Sequence, residues 1–243
     1  MHASLAEQAA ERFFGRRKSP SRAQCDALAQ ATFAGQERKQ RILVKDLAQY
    51  FARCWTHPQP VDRQHQQETQ GGIYTRLVRG LESVSSSILP ESMLLKLMES
   101  LPFLFSQEYP QVLTHGDFSM TNILVDRAAL KITGIADWSL ASIMPFGMDL
   151  DALLWTTGFM TTDCWHDYAC KPQLKSIFWK EFWAASGVKG AERRARTRCL
   201  AEAACAIGAI LRRSLRRDAD GTPSDEDAVS EADVKRLRAW FGE

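Results

Sequence analysis

The chain has 243 residues, 45% hydrophobic and 25% charged, an ordinary globular composition with enough length to bury a core as one large domain or two small ones. A formal charge of +2 excludes a strongly polybasic or polyacidic protein, so bulk electrostatics identify no nucleic-acid partner. The N-terminus has no apolar h-region and the longest apolar stretch, near residues 203–211, is far short of a membrane span, which predicts a cytoplasmic chain with no transmembrane segment.

In chain order, a first helix is expected at residues 5–14, followed by a basic turn at 16–18 and Pro20. Asp46 is expected to cap a second helix, LAQYFARCW, whose Leu47, Phe51 and Trp55 share one face until His57-Pro58 ends it. Residues 61–72 are polar, glutamine-rich and punctuated by Gly71-Gly72, and read as a loop or frayed helix. Leu89-Pro90 opens another helix with Met93, Leu94, Leu97 and Met98 as its core stripe. QVLTH reads as extended, and ILVD and KITGIAD as two short strands joined by a tight loop at 127–130. Beyond Asp137 three helices are expected, in DLDALLWTTGFM, LKSIFWKEFWAAS and CLAEAACAIGAIL. LRRSLRR reads as the basic C-terminal end of a helix facing water. Residues 218–233 hold seven Asp or Glu and no Lys or Arg, as a solvated loop would, and 231–241 form a last helix capped by Ser230. The six cysteines form no CxxC pair and are expected to be reduced and mostly buried.

The chemistry concentrates in LTHGDFSMTNILVD and KITGIADWSLA. Asp117 lies in a turn after an extended apolar run, where it can orient a hydroxyl or accept its proton. Asn122, five residues on, offers an amide oxygen to a hard cation such as Mg²⁺. Asp137 ends the second strand, and a tight reversal between the strands brings it to the same end as Asn122. His115 reads as structural support that bonds the loop backbone and holds Asp117, and Gly116 as the residue permitting a tight path. Each residue alone would be a turn or cap; the ordered set is what points to phosphoryl transfer.

From about Leu47 to about Gly147 the chain resembles the aminoglycoside phosphotransferase-like family, also called the phosphotransferase enzyme family, particularly its fungal members. The resemblance implies an α+β fold: a mainly helical, protein-kinase-like C-terminal lobe with short β-hairpins. It implies ATP as phosphoryl donor, Mg²⁺ as cofactor and a small hydroxylated molecule as acceptor. Asp117 then corresponds to the catalytic-loop aspartate, Asn122 to the metal-binding asparagine and Asp137 to the metal aspartate, here within DWS. The family's small β-rich N-terminal lobe is not seen in the 114 residues before His115, which hold no G-x-G-x-x-G. Lys45 is expected at the surface beside a helix rather than as that lobe's strand lysine. The expected organisation is an atypical helical segment at 1–45, the kinase-like lobe at 46–213 and a charged tail at 214–243. Two functions stay open: a Mg²⁺-dependent small-molecule phosphotransferase, or a noncatalytic binding or regulatory remnant of one. No motif identifies a protein or nucleic-acid partner.

Overall fold

The computed structural model describes the backbone of residues 22–82, 89–126, 129, 131–161, 163–213 and 230–242. The helix expected at 5–14, the basic turn at 16–18 and the acidic loop at 218–229 lie outside the described residues. The chain divides into two compact units, Met1–Lys39 and Gln40–Glu243, and among the described residues the hydrophobic core lies in the second. The fold is mainly helical α+β, as expected, with three antiparallel strand pairs among the described residues.

Helix α1 spans Arg22–Thr56. Val44, Leu47, Ala48, Phe51 and Ala52 follow helical spacing and are all but completely buried. Burying each large member contributes roughly 1.5–3 kcal/mol. Asp46 therefore does not cap a helix; it lies inside α1, where the apolar stripe runs past it and no proline interrupts the segment. Its Oδ2 instead accepts the backbone N–H of Ile132 at 2.9 Å. Lys45 is exposed on α1 and pairs with Glu181 at 3.5 Å.

Helix α2, Arg63–Glu82, takes in most of the stretch read as loop or frayed helix. Each interior glycine costs about 1 kcal/mol, but Asp62 accepts the N–H of His65 at 3.0 Å at its start, and Ile73 and Leu77 bury one face. Helix α3, Glu91–Leu104, buries Leu94, Leu97, Leu101 and Leu104. It runs through Pro102, whose missing N–H falls in the last turn.

The strands that follow form two antiparallel pairs. Strand β1 is Gln111–Thr114, β2 Ile123–Asp126, β3 Lys131–Ile135 and β4 Ser142–Pro145. The inner pair joins β2 to β3, with Ile123 opposite Ile135. The outer pair joins β1 to β4, with Thr114 opposite Ser142.

Helix α4 covers only Asp151–Trp155, not the longer helix expected from DLDALLWTTGFM. The hydroxyls of Thr156 and Thr157 donate to the carbonyls of Leu153 and Leu154 at 2.7 Å, competing for the acceptors the next turn would use. The chain then pairs β5 (Gly158–Met160) with β6 (Trp165–Asp167). Helices α5 (Lys171–Ser186), α6 (Ala191–Arg213) and α7 (Glu231–Phe241) complete the fold. Ser230 caps α7 as expected, its hydroxyl accepting the Asp233 N–H at 3.1 Å.

Phe51, Phe146, Phe178 and Phe182 pack ring to ring at the centre. Trp165 and Trp179 are buried, whereas Trp138 is 39% exposed. The cysteines are less buried than expected: of those described only Cys205 is fully buried, and Cys164 and Cys199 are exposed. All five described are free thiols.

Arg212 and Arg213 also turn inward rather than toward water. Arg212 donates to Asp149 at 3.1 Å and to Asp151, and Arg213 reaches Asp151 and Asp233. Asp149 and Asp151 are buried, and uncompensated buried charge is far costlier than a solvated end. Among the described residues no helix is long and apolar enough to cross a membrane.

Candidate functional site

Nested strand pairing builds the site. The loop 115–122 leaves β1 and enters β2; the loop 136–141 leaves β3 and enters β4. Because β1 pairs with β4 and β2 with β3, both loops are tied together at both ends.

Three contacts fasten the loops to one another. The Ala136 N–H donates to the Asn122 carbonyl at 2.9 Å. The Ala136 carbonyl accepts from His115 Nε2 at 2.7 Å. The residue before Asp137 is thus gripped on both sides by residues flanking Asp117. Gly116, at φ +80, lies against the Leu140 carbonyl, where a Cβ would collide.

His115 is fully buried. Its Nδ1 accepts the Asp117 N–H at 3.3 Å while Nε2 bonds Ala136, which fits the tautomer protonated on Nε2. Its ring stacks on Phe118, with centroids 5.7 Å apart, and sits 4.9 Å from Trp138. Both ring nitrogens and the ring faces are engaged in holding loops.

Asn122 turns its amide NH₂ to Asp117, 2.9 Å from the carbonyl and 3.4 Å from Oδ2. The amide oxygen is then the atom it can offer a cation. Asp137 Oδ1 accepts the Ser139 hydroxyl at 2.7 Å. Among the described residues Asp137 is the sole non-glycine with positive φ, at 59°. Aspartate tolerates this region better than most residues, and Trp138 Nε1, donating to the Ile135 carbonyl at 2.9 Å, helps fix the turn. The structure thus brings the loops of Asp117, Asn122 and Asp137 together.

Two buried aspartates support this site from behind, and sequence reading missed their role. Asp149 Oδ2 accepts the His115 N–H at 2.6 Å, and its other oxygen takes Arg212 at 3.1 Å. Burial pushes the Asp149 carboxyl up, against the pull of the Arg212 guanidinium and the His115 N–H. Burial acts to lower Arg212, but Asp151 and Asp149 outweigh it and the guanidinium is raised. The two shifts pull opposite ways on the ion pair; the two charge-assisted donors on Asp149 favour its ionised form, and the ion pair is the better description. The available signal was an Asp-Leu-Asp opening an apolar run, since buried acids need a cation. Its partner lies 63 residues on in sequence.

Among the described residues no three or more His, Cys, Asp and Glu side chains gather as a metal cluster. The set here is two carboxylates and one amide oxygen, hard donors that suit Mg²⁺, which keeps waters and takes one or two carboxylates with substrate phosphates. The donor chemistry therefore fits a magnesium–polyphosphate complex.

Among known protein families, the model of the phosphotransferase enzyme family matches residues 22–164, a span containing both loops of the site. No curated protein matches the chain.

Proposed function

Because the chain belongs to the phosphotransferase enzyme family, we propose that it transfers a phosphoryl group from ATP, with Mg²⁺, to a hydroxyl of a small molecule. What supports this most is the clasp on Ala136 by His115 and Asn122, which ties the loop of Asp117 to the loop of Asp137. When bound, magnesium–ATP supplies the phosphoryl group and the charge neutralisation that such transfer requires.

In this reading Asp117 is the catalytic residue. Its Oδ2 leans toward the Asn122 amide, so Oδ1 would orient the acceptor hydroxyl and receive its proton as that oxygen bonds to the γ-phosphorus and the bond from that phosphorus to the departing ADP oxygen breaks. Asn122 and Asp137 would hold the metal, the first offering its amide oxygen and the second a carboxylate oxygen. His115 is a positioning residue, gripping Asp117 by its backbone and Asp137 through Ala136. Gly116 lets the loop pass under Leu140. The setting is cytoplasmic, where ATP is at hand and free thiols stay reduced.

The test is acceptor-dependent ADP release with Mg²⁺ across a panel of hydroxylated small molecules, for the wild type and Asp117→Asn. The expected result is turnover that falls about 10²–10⁴-fold in the variant, the usual worth of a positioned general base, with an unchanged melting curve. No turnover by folded protein with any acceptor, or equal turnover by the variant, counts against the reading. Nucleotide binding without turnover is the outcome expected of a noncatalytic relative.

A further inference from the structure

Helices α5 and α6 enclose a groove of about 780 Å³ that the proposed reaction does not use. Lys171, Lys175 and Lys180 line it from α5, Arg194 and Arg198 from α6, and no Asp or Glu is among its lining residues. Lys171 is paired with Asp167 and Arg198 with Glu202. Lys175, Lys180 and Arg194 make no ion pair among the described residues. Arg194 lies in the first turn of α6, where the helix dipole disfavours a cation, and its Nε donates to the Val188 carbonyl at 2.9 Å.

The arginines are also held in place. Arg194 lies over the Trp183 ring at 5.8 Å and Arg198 over Trp179 at 5.5 Å. The two indoles stack on each other with centroids 5.0 Å apart. Trp179 is buried and Trp183 half-buried, which leaves little open ring for a nucleobase, so the stacking that single-stranded nucleic acid uses is disfavoured. A bilayer fits no better: among the described residues, none of the large exposed apolar side chains is on α5 or α6, so nothing there inserts between lipids. A groove lined by cations and by no acidic residue matches an extended chain bearing carboxylates.

We propose that the groove between α5 and α6 is a docking site for an acidic peptide segment of a partner protein, read by Lys175, Lys180 and Arg194. Lys180 is exposed and Lys175 half-buried, and neither makes a hydrogen bond or ion pair among the described residues, so circular dichroism serves as the check on folding when both are substituted. Fluorescence anisotropy would follow a labelled decaglutamate peptide, a labelled ten-residue oligothymidylate and, by co-sedimentation, phosphatidylserine vesicles. Each is titrated with the full chain, wild type and Lys175→Glu/Lys180→Glu. Expected are saturable binding of the peptide, weakened about tenfold or more by the double substitution and by added salt, with unchanged circular dichroism. The proposal is overturned by absence of peptide binding, by equal binding of the variant, or by tighter binding of the oligonucleotide or vesicles than of the peptide.

Discussion

Gly116 and Asp137 carry the positive-φ backbone of the two candidate loops, at φ +80 and 59°. At Gly116 the conformation and the Leu140 carbonyl both exclude a side chain. Gly116→Ala should cost about 1–3 kcal/mol in urea unfolding, the scale of backbone held in a disfavoured region; an unchanged midpoint would show that the loop has room to move. Asp137 tells the complementary story, since an aspartate kept in left-handed backbone is a strain that ordinary capping would not require. The residues bearing the candidate chemistry were legible in sequence because they are local: five residues separate Asp117 from Asn122, and one short hairpin links Asn122 to Asp137. Their support was not. Nothing in a linear pattern joins Asp149 to Arg212, and Arg212 looked solvated because two buried acids were needed to draw it inward.

At the scale of elements, the β2–β3 pair depends on α1. Asp46 accepts the Ile132 N–H from the middle of a helix, so Asp46→Ala leaves that partly buried donor without its partner. A cost of about 1–3 kcal/mol is expected, read as faster amide exchange at Ile132; unaltered protection there would mean that the strands alone fix the hairpin. Helical and strand periodicities announced α1, α3, β2 and β3. The failures run both ways: tertiary burial overrides local polarity in α2, and local polarity overrides an apolar pattern after α4. Gly71-Gly72 lie within α2 because Ile73 and Leu77 bury beside them. Thr156 and Thr157 stop α4 with their own hydroxyls, which an apolar count does not register.

Across the whole molecule, α7 closes the fold by combining charge with aromatic packing. Trp240 lies 5.3 Å from both Trp155 and Trp165, and Arg213 and Arg236 each lie 4.8 Å from the Trp155 ring. Asp233 gathers both arginines. Burial raises its carboxyl, but the Ser230 hydroxyl and the Arg213 and Arg236 guanidiniums overcome that and hold it below the ordinary aspartate range. A depressed carboxylate stabilises the fold above its unfolded pKa, and that contribution is lost as pH falls through the folded value. The tryptophan near-ultraviolet signal of α7 should therefore loosen below about pH 4. Asp233→Asn should show the loosened signal at neutral pH and a flatter acid response. Wild-type and variant profiles that superimpose would remove Asp233 from the docking of α7.

The convergence of Asp117, Asn122 and Asp137 on one metal–nucleotide complex is tested most directly by electron paramagnetic resonance of Mn²⁺ titrated into the protein with and without ATP. The account predicts saturable, ATP-dependent Mn²⁺ binding by the wild type, weakened about tenfold or more in Asp137→Asn and in Asn122→Ala, as a floor set by the smaller effects of residues behind the ligands. Binding that is indifferent to both substitutions, or a folded wild-type chain that binds no Mn²⁺ with ATP, would contradict it.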